Sequence, residues 1–148
     1  MPKVRASKML DLNEHKKAVL ANIGLLLFRT GLSVSIFVSH GYSKVSNIFI
    51  GNWDFPNPVG LGKEAGLVLS AGAESICVLM IALGILTRLC TIPLIFTMIV
   101  ATWVINGGAP FIQQEKSFVY LLGWVLLFLT GPGEYTVVNA YRRYRGKS

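Results

Sequence analysis

Apolar residues in this chain are grouped rather than scattered, in long runs separated by short polar or glycine- and proline-rich gaps. A helix that crosses a bilayer core about 30 Å thick needs roughly 17–25 mostly apolar residues, each adding ~1.5 Å. Four runs reach or approach that length, over about 21–40, 65–86, 89–105 and 115–131. The third has Pro93 close to its start, where the first helical turn tolerates a proline. The fourth is short, and gains length by extending back through Phe111 or by tilting. The pattern predicts an all-α membrane protein, a single domain over 1–148 folded as an antiparallel bundle of four transmembrane helices.

The gaps carry their own signals. Residues 1–20 mix basic positions with Val4, Met9, Leu10 and Leu12, a pattern for an interfacial amphipathic helix. No cleavable signal peptide is expected, because these residues are polar and no small-residue cleavage site follows. The longest loop, 41–63, holds Trp53, Phe55, Pro56 and Pro58 and predicts an irregular cap over one end of the bundle. Asn106-Gly107-Gly108-Ala109-Pro110 is a strong helix stop, and Gly131-Pro132-Gly133 breaks the chain again. Residues 134–145 set Tyr135, Tyr141 and Tyr144 beside arginines, as in a surface helix at the headgroups. No internal repeat is visible.

Composition agrees with the pattern: 53% of residues are hydrophobic and 14% charged, against about a quarter charged in soluble domains. The formal charge of +7 raises the question of nucleic acid, but its distribution answers it. Lys3, Arg5, Lys8, Lys16, Lys17, Arg88, Arg142, Arg143, Arg145 and Lys147 fall on one side of a four-span chain, against Lys44, Lys63 and Lys116 on the other. This bias places both termini in the cytoplasm and suits anionic headgroups. The partner implied is the lipid bilayer, with no role for nucleic acid. The two cysteines, Cys77 and Cys90, form no CxxC pair and no metal-spaced cluster, so both read as small apolar residues.

Polar residues inside the spans carry the chemistry. A charge at the bilayer centre costs at least about 2.5–3.5 kcal/mol, so such residues face inward and find partners. Counting from the ends of their runs puts Arg29 and Glu74 both near the midplane, which predicts an Arg29–Glu74 ion pair. Such a pair is either a structural clamp or a proton or ligand site. Arg29, Ser33, His40 and Lys44 lie along one stripe of the first helix, and a histidine there suits proton transfer. Gly66, Ser70 and Glu74 follow at four-residue spacing, which favours close helix approach. Glu115 and Lys116 lie at the mouth of the fourth run, where Glu115 is in reach of Lys44 or His40, while Trp103, Tyr120 and Trp124 read as packing residues. Two histidines cannot pair as haem ligands within one bundle, and no metal or nucleotide motif occurs, so no bound haem, metal or nucleotide is expected.

The order of features resembles the DoxX family of small four-helix bacterial membrane proteins. The resemblance rests on Leu25-Leu26-Leu27-Phe28-Arg29, on His40-Gly41 with Lys44 after it, and above all on Ala71-Gly72-Ala73-Glu74 followed by Leu83-Gly84-Ile85-Leu86-Thr87-Arg88. Asn106-Gly107-Gly108 and Gly131-Pro132-Gly133 complete it. It implies a multi-pass protein of the bacterial inner membrane, linked to quinone-coupled oxidation, quinol oxidase complexes or thiol-stress complexes. Three readings follow. The first is a membrane subunit of a quinone-linked redox complex, with Glu74, Arg29 and His40 as candidate catalytic residues and Arg29, Ser33, His40, Lys44 and Glu74 as quinone contacts. In that reading the cofactor is a diffusible quinone and the partners are other redox subunits or a second copy. The second is an accessory subunit without chemistry of its own. A small-solute transporter ranks last, because one chain offers few helices and no inverted repeat.

Overall fold

The structure is a computed structural model that describes the backbone of residues 2–146 and the side chains of residues 12–146. The described residues are helices and connecting loops, without strands. The first helical rod is α1 (Pro2–Ile36), which runs through a π-helical turn (Phe37–Gly41) into α2 (Tyr42–Phe49). The second is α3 (Lys63–Gly72), a π turn (Ala73–Cys77) and α4 (Val78–Leu83). The third is α5 (Thr87–Ile99) with a π turn (Val100–Ile105), the fourth is α6 (Phe111–Thr130), and α7 (Val137–Arg145) follows.

The α1 end packs against α4 and α2 against α3, so the first two rods are antiparallel. The third packs along α6 and closes the bundle. Ile36, Val78, Ile81, Leu94, Met98, Leu121, Trp124 and Leu127 form the shared core. Most of the remaining large apolar side chains, among them Leu27, Val38, Leu69, Leu79, Phe96, Leu122 and Leu129, point outward. Three helices, Leu12–Phe49, Lys63–Leu83 and Thr87–Ile105, are long and apolar enough to cross a membrane. A core this small beneath an apolar exterior is the arrangement of a chain whose solvent is lipid.

Several boundaries differ from the sequence expectation. The first rod does not end near residue 40 but stays helical to Phe49, and the irregular cap begins only after it. No proline or paired glycine interrupts Tyr42–Phe49, so the backbone hydrogen bonding continues. Pro93 is the seventh residue of α5 rather than part of its first turn. The Thr97 hydroxyl donates to the Pro93 carbonyl at 2.8 Å. The fourth helix does reach back to Phe111, and α7 forms within the expected surface segment. Its N-cap is Thr136, whose hydroxyl accepts from the Asn139 N–H at 3.0 Å. The alternation around Val4, Met9 and Leu10 lies outside the residues whose side chains are described.

At the end of the bundle opposite the cap, Arg29 is 1% exposed and ties three segments together. Its Nη1 donates to the Pro132 carbonyl at 3.2 Å, and its Nη2 donates to the Tyr135 carbonyl. Pro132 follows the C-terminus of α6, where helix carbonyls leave a partial negative charge that suits a cation. Gly84, which ends α4 with φ +74°, packs directly on the guanidinium and on Thr136. A side chain at Gly84 therefore meets both an unfavourable backbone conformation and an occupied volume. Gly84→Ala is expected to destabilise the chain by more than about 1 kcal/mol, as read by SDS-driven unfolding in lipid–detergent micelles. An unchanged unfolding midpoint contradicts this geometry.

Candidate functional site

At the capped end, the rods part around a cavity of about 400 Å³. Its polar groups come from every rod: His40 and Lys44 from the first, Ser70 and Glu74 from the second, Thr97 from the third, and Lys116, Ser117 and Tyr120 from the fourth. Phe55, Pro56, Pro58, Val59 and Leu61 of the cap roof it. The wall between α3 and α5 contains Leu69 and Phe96, which are 62% and 56% exposed on the lateral face.

Glu74 sits at the centre of the polar wall with its side chain 3% exposed. Lys44 Nζ lies 2.6 Å from Glu74 Oε2 and donates to Ser70 Oγ at 2.5 Å. The same ammonium stands 5.5 Å from the centroid of the Phe55 ring, which links the ion pair to the roof. Lys44 reaches inward because helical side chains lean toward the N-terminus of their helix. The approach depends on Gly41, whose Cα packs against the Glu74 carbonyl and leaves no room for a methyl group. Across the bundle, Tyr120 Oη and Ser35 Oγ share a hydrogen bond of 2.6 Å.

All three π turns of the described residues occur at this level, and each contributes to the cavity: His40 from the first, Glu74 from the second, and Val100, Ala101 and Ile105 from the third. Such turns re-aim side chains and loosen the regular hydrogen-bond ladder, and they recur at functional sites. The Ala101 carbonyl in the third turn accepts from the side-chain amide of Asn106 at 2.8 Å.

The expected Arg29–Glu74 pair does not form. Gly41 touches Glu74, and twelve residues separate Arg29 from Gly41, about 18 Å along the helix. The depth count fails because the first rod starts well before the bundle and ends well beyond residue 40. Arg29 thus lies at the end of the bundle and Glu74 in its middle. Ser33, one turn from Arg29, is 2% exposed with its hydroxyl unpartnered, away from the cavity. Of the sequence candidates, the cavity gathers Glu74, His40 and Lys44, and leaves out Arg29 and Ser33. Glu115 joins neither Lys44 nor His40; it borders a shallow depression beside Ile112 and Val119, while Lys116 turns to the cavity. Sequence reading took Tyr120 for packing alone. The signal was the spacing of Gln113, Lys116, Ser117 and Tyr120, which fall on one helical face.

Two expectations follow. Lys44→Met leaves the buried Glu74 carboxylate unpaired and should destabilise the chain by about 3–5 kcal/mol, whereas Lys44→Met combined with Glu74→Gln should recover most of that loss. Equal losses in the single and double variants would show that the pair is not coupled. In the cap, Lys63 Nζ lies 2.7 Å from Asp54 Oδ1 and holds that carboxyl below its ordinary value of 3.8. A lowered folded-state value means that the contact is fully present above pH 3.8 and lost as pH falls below it. Amide exchange over residues 52–62, corrected for intrinsic rates, should therefore accelerate below that pH, and Asp54→Asn should abolish the change.

No curated protein and no solved structure matches the chain. The DoxX family profile matches residues 24–107, a stretch that contains Arg29, His40, Lys44, Ser70, Glu74 and the Leu83–Arg88 turn. By that match and by its apolar helical rods, the chain is a multi-pass membrane protein in contact with the lipid bilayer, and it belongs to the DoxX family.

Proposed function

We propose that the chain is a four-span subunit of a quinone-linked redox complex in the bacterial inner membrane, with both termini in the cytoplasm. The observation that carries this reading is the cavity, which combines a buried Lys44–Glu74 pair with a wall of lipid-facing residues. Its volume falls in the range of small-molecule sites, which are mostly apolar with a few convergent polar groups. Leu69 and Phe96 on the lateral face offer an apolar molecule a route from the bilayer that avoids water. DoxX proteins are often associated with redox or quinone-related processes, which fits such a ligand. Counting α6 as the fourth span puts the basic residues of the α1 segment, the Arg88 turn and α7 on one side, as cytoplasmic loops require.

A quinone held there would supply two-electron, two-proton chemistry. The residues of the chain divide the remaining work. Lys44 and Tyr120 can donate hydrogen bonds to a carbonyl oxygen, and Ser70 holds the Lys44 ammonium in position. Glu74 can hold a proton and pass it on, and His40 and Lys116 at the cavity offer further positions for proton movement. Arg29 and Ser33 lie away from the cavity, and Arg29 holds the bundle end through the Pro132 and Tyr135 carbonyls.

The test is photolabelling of the lipid-reconstituted chain with an azido-quinone, followed by peptide mapping. Labelling of the segments holding Phe55, Leu69 or Tyr120, competed by a short-tailed quinone and reduced at least tenfold in a folded Lys44→Met/Glu74→Gln chain, is the expected result. Labelling confined to the outer lipid-facing surface, or unaffected by these changes, overturns the site. The accessory reading draws on one observation: α1 from Leu12 to Ala21 extends past the bundle end as an exposed helix, a natural post for a soluble partner. It predicts that shortening this helix releases redox partners, while changes in the cavity leave the turnover of the complex intact.

A further inference from the structure

Away from the cavity, α7 (Val137–Arg145) leaves the bundle end as a helix that does not pack along any other. At about 100° per residue, Val137, Ala140, Tyr141 and Tyr144 fall on one arc of about 100°, and Arg142, Arg143 and Arg145 lie outside it. The apolar arc is bare: Val137, Tyr141 and Tyr144 are 50%, 61% and 77% exposed. In a helix packed on a bundle, that face would be the buried one. All three arginines are exposed, and among the described residues their acidic contact is Glu134, 3.7 Å from Arg143. Arg88 adds a further exposed guanidinium at this end, where its Nη2 donates to the Leu129 carbonyl at 3.2 Å.

The helix cannot swing far from the bilayer. Residues 131–136 alone separate it from α6, and that connection is fastened to the first rod. Arg29 holds the Pro132 and Tyr135 carbonyls from inside the bundle, and the Asn22 side chain accepts from the Glu134 N–H at 2.9 Å. Apolar residues of α6 stay exposed as far as Leu129, so α7 begins where the hydrocarbon stops. A face of valine and tyrosine flanked by arginines suits this depth, because the rings sit at the headgroups and the guanidiniums reach phosphate oxygens. With Glu134 as their acidic contact, Arg88, Arg142, Arg143 and Arg145 leave a net positive surface, complementary to an anionic leaflet.

We propose that α7 lies flat on the membrane and binds anionic phospholipids, with Val137, Tyr141 and Tyr144 sunk between headgroups and Arg142, Arg143 and Arg145 on their phosphates. Arg88 meets the same headgroups from the start of α5. This surface stands apart from the cavity and does not depend on what the cavity binds. Lipid held here adds to the fastening of the bundle end that Arg29 provides, since it binds the folded α7 segment.

The experiment places the full chain in nanodiscs of phosphatidylcholine, with or without phosphatidylglycerol, and follows amide exchange over residues 137–145. Exchange should slow at least tenfold when the anionic lipid is present, and high salt should reverse most of that protection. Spin-labelled phosphatidylglycerol should associate with the chain at least fourfold more strongly than spin-labelled phosphatidylcholine. That preference should fall at least twofold in Arg142→Gln/Arg143→Gln/Arg145→Gln, whose altered side chains are all exposed. Should that variant fold poorly, exchange in the unaltered chain still decides. Equal exchange in the two lipids, equal association of the two labelled lipids, or a preference unchanged in a folded variant each overturns the site. Protection that comes only with an added acidic soluble protein, and not with the lipid, overturns it in favour of a protein partner.

Discussion

The structure turns on the need to neutralise one carboxylate in the middle of an apolar bundle. The Glu74 side chain is 3% exposed, and an unpaired charge buried that deeply would neutralise itself or unfold the bundle. Lys44 meets the need from the first rod, and several other features follow from that contact. The first rod must stay helical past residue 40 to carry Lys44 at all. It must come close to the second rod, which is possible because Gly41 sets backbone against the Glu74 carbonyl. Ser70 occupies the second hydrogen-bonding direction of the ammonium, and Phe55 covers it from the cap.

The cavity lies beside this pair. The π turns widen the rods at this level, and the irregular cap closes the space above. Below it, Ile36, Ile81, Leu94, Trp124 and Leu127 interlock without comparable room. The cavity therefore lies toward the capped end, with the apolar core below it.

Arg29 solves the opposite problem by different means. It is as buried as Glu74 but is hydrogen-bonded to carbonyls rather than to a carboxylate. The C-terminus of α6 supplies the negative partial charge, and the chain between α6 and α7 folds across to deliver the Pro132 and Tyr135 carbonyls. Gly84 must be glycine for the α4–α5 turn to fit against the same guanidinium. Gly131-Pro132-Gly133, legible in the sequence only as a break, thus shapes the ligand loop of a buried cation. The two ionised side chains that sequence reading joined are the centres of separate clusters, one at each level of the fold.

The sequence by itself determined the helical rods, their membrane character and the inward-facing polar positions, because these rest on local composition and on the length of apolar runs. Pro110, Gly131 and the Gly84 region mark real breaks, and Glu74, Lys44 and His40 line one cavity. It also held the Tyr120 face of α6 in its spacing, although that face was read as packing. What the tertiary structure alone decided is who partners whom. Depth counted from the end of an apolar run assumes that every helix starts at the same level, and α1 starts far outside the bundle. A π turn also rotates all later side chains relative to earlier ones, so the straight stripe from Arg29 to Lys44 does not survive in three dimensions. Local pattern fixes which residues must be buried, but the relative height and rotation of packed helices decide what each buried group meets.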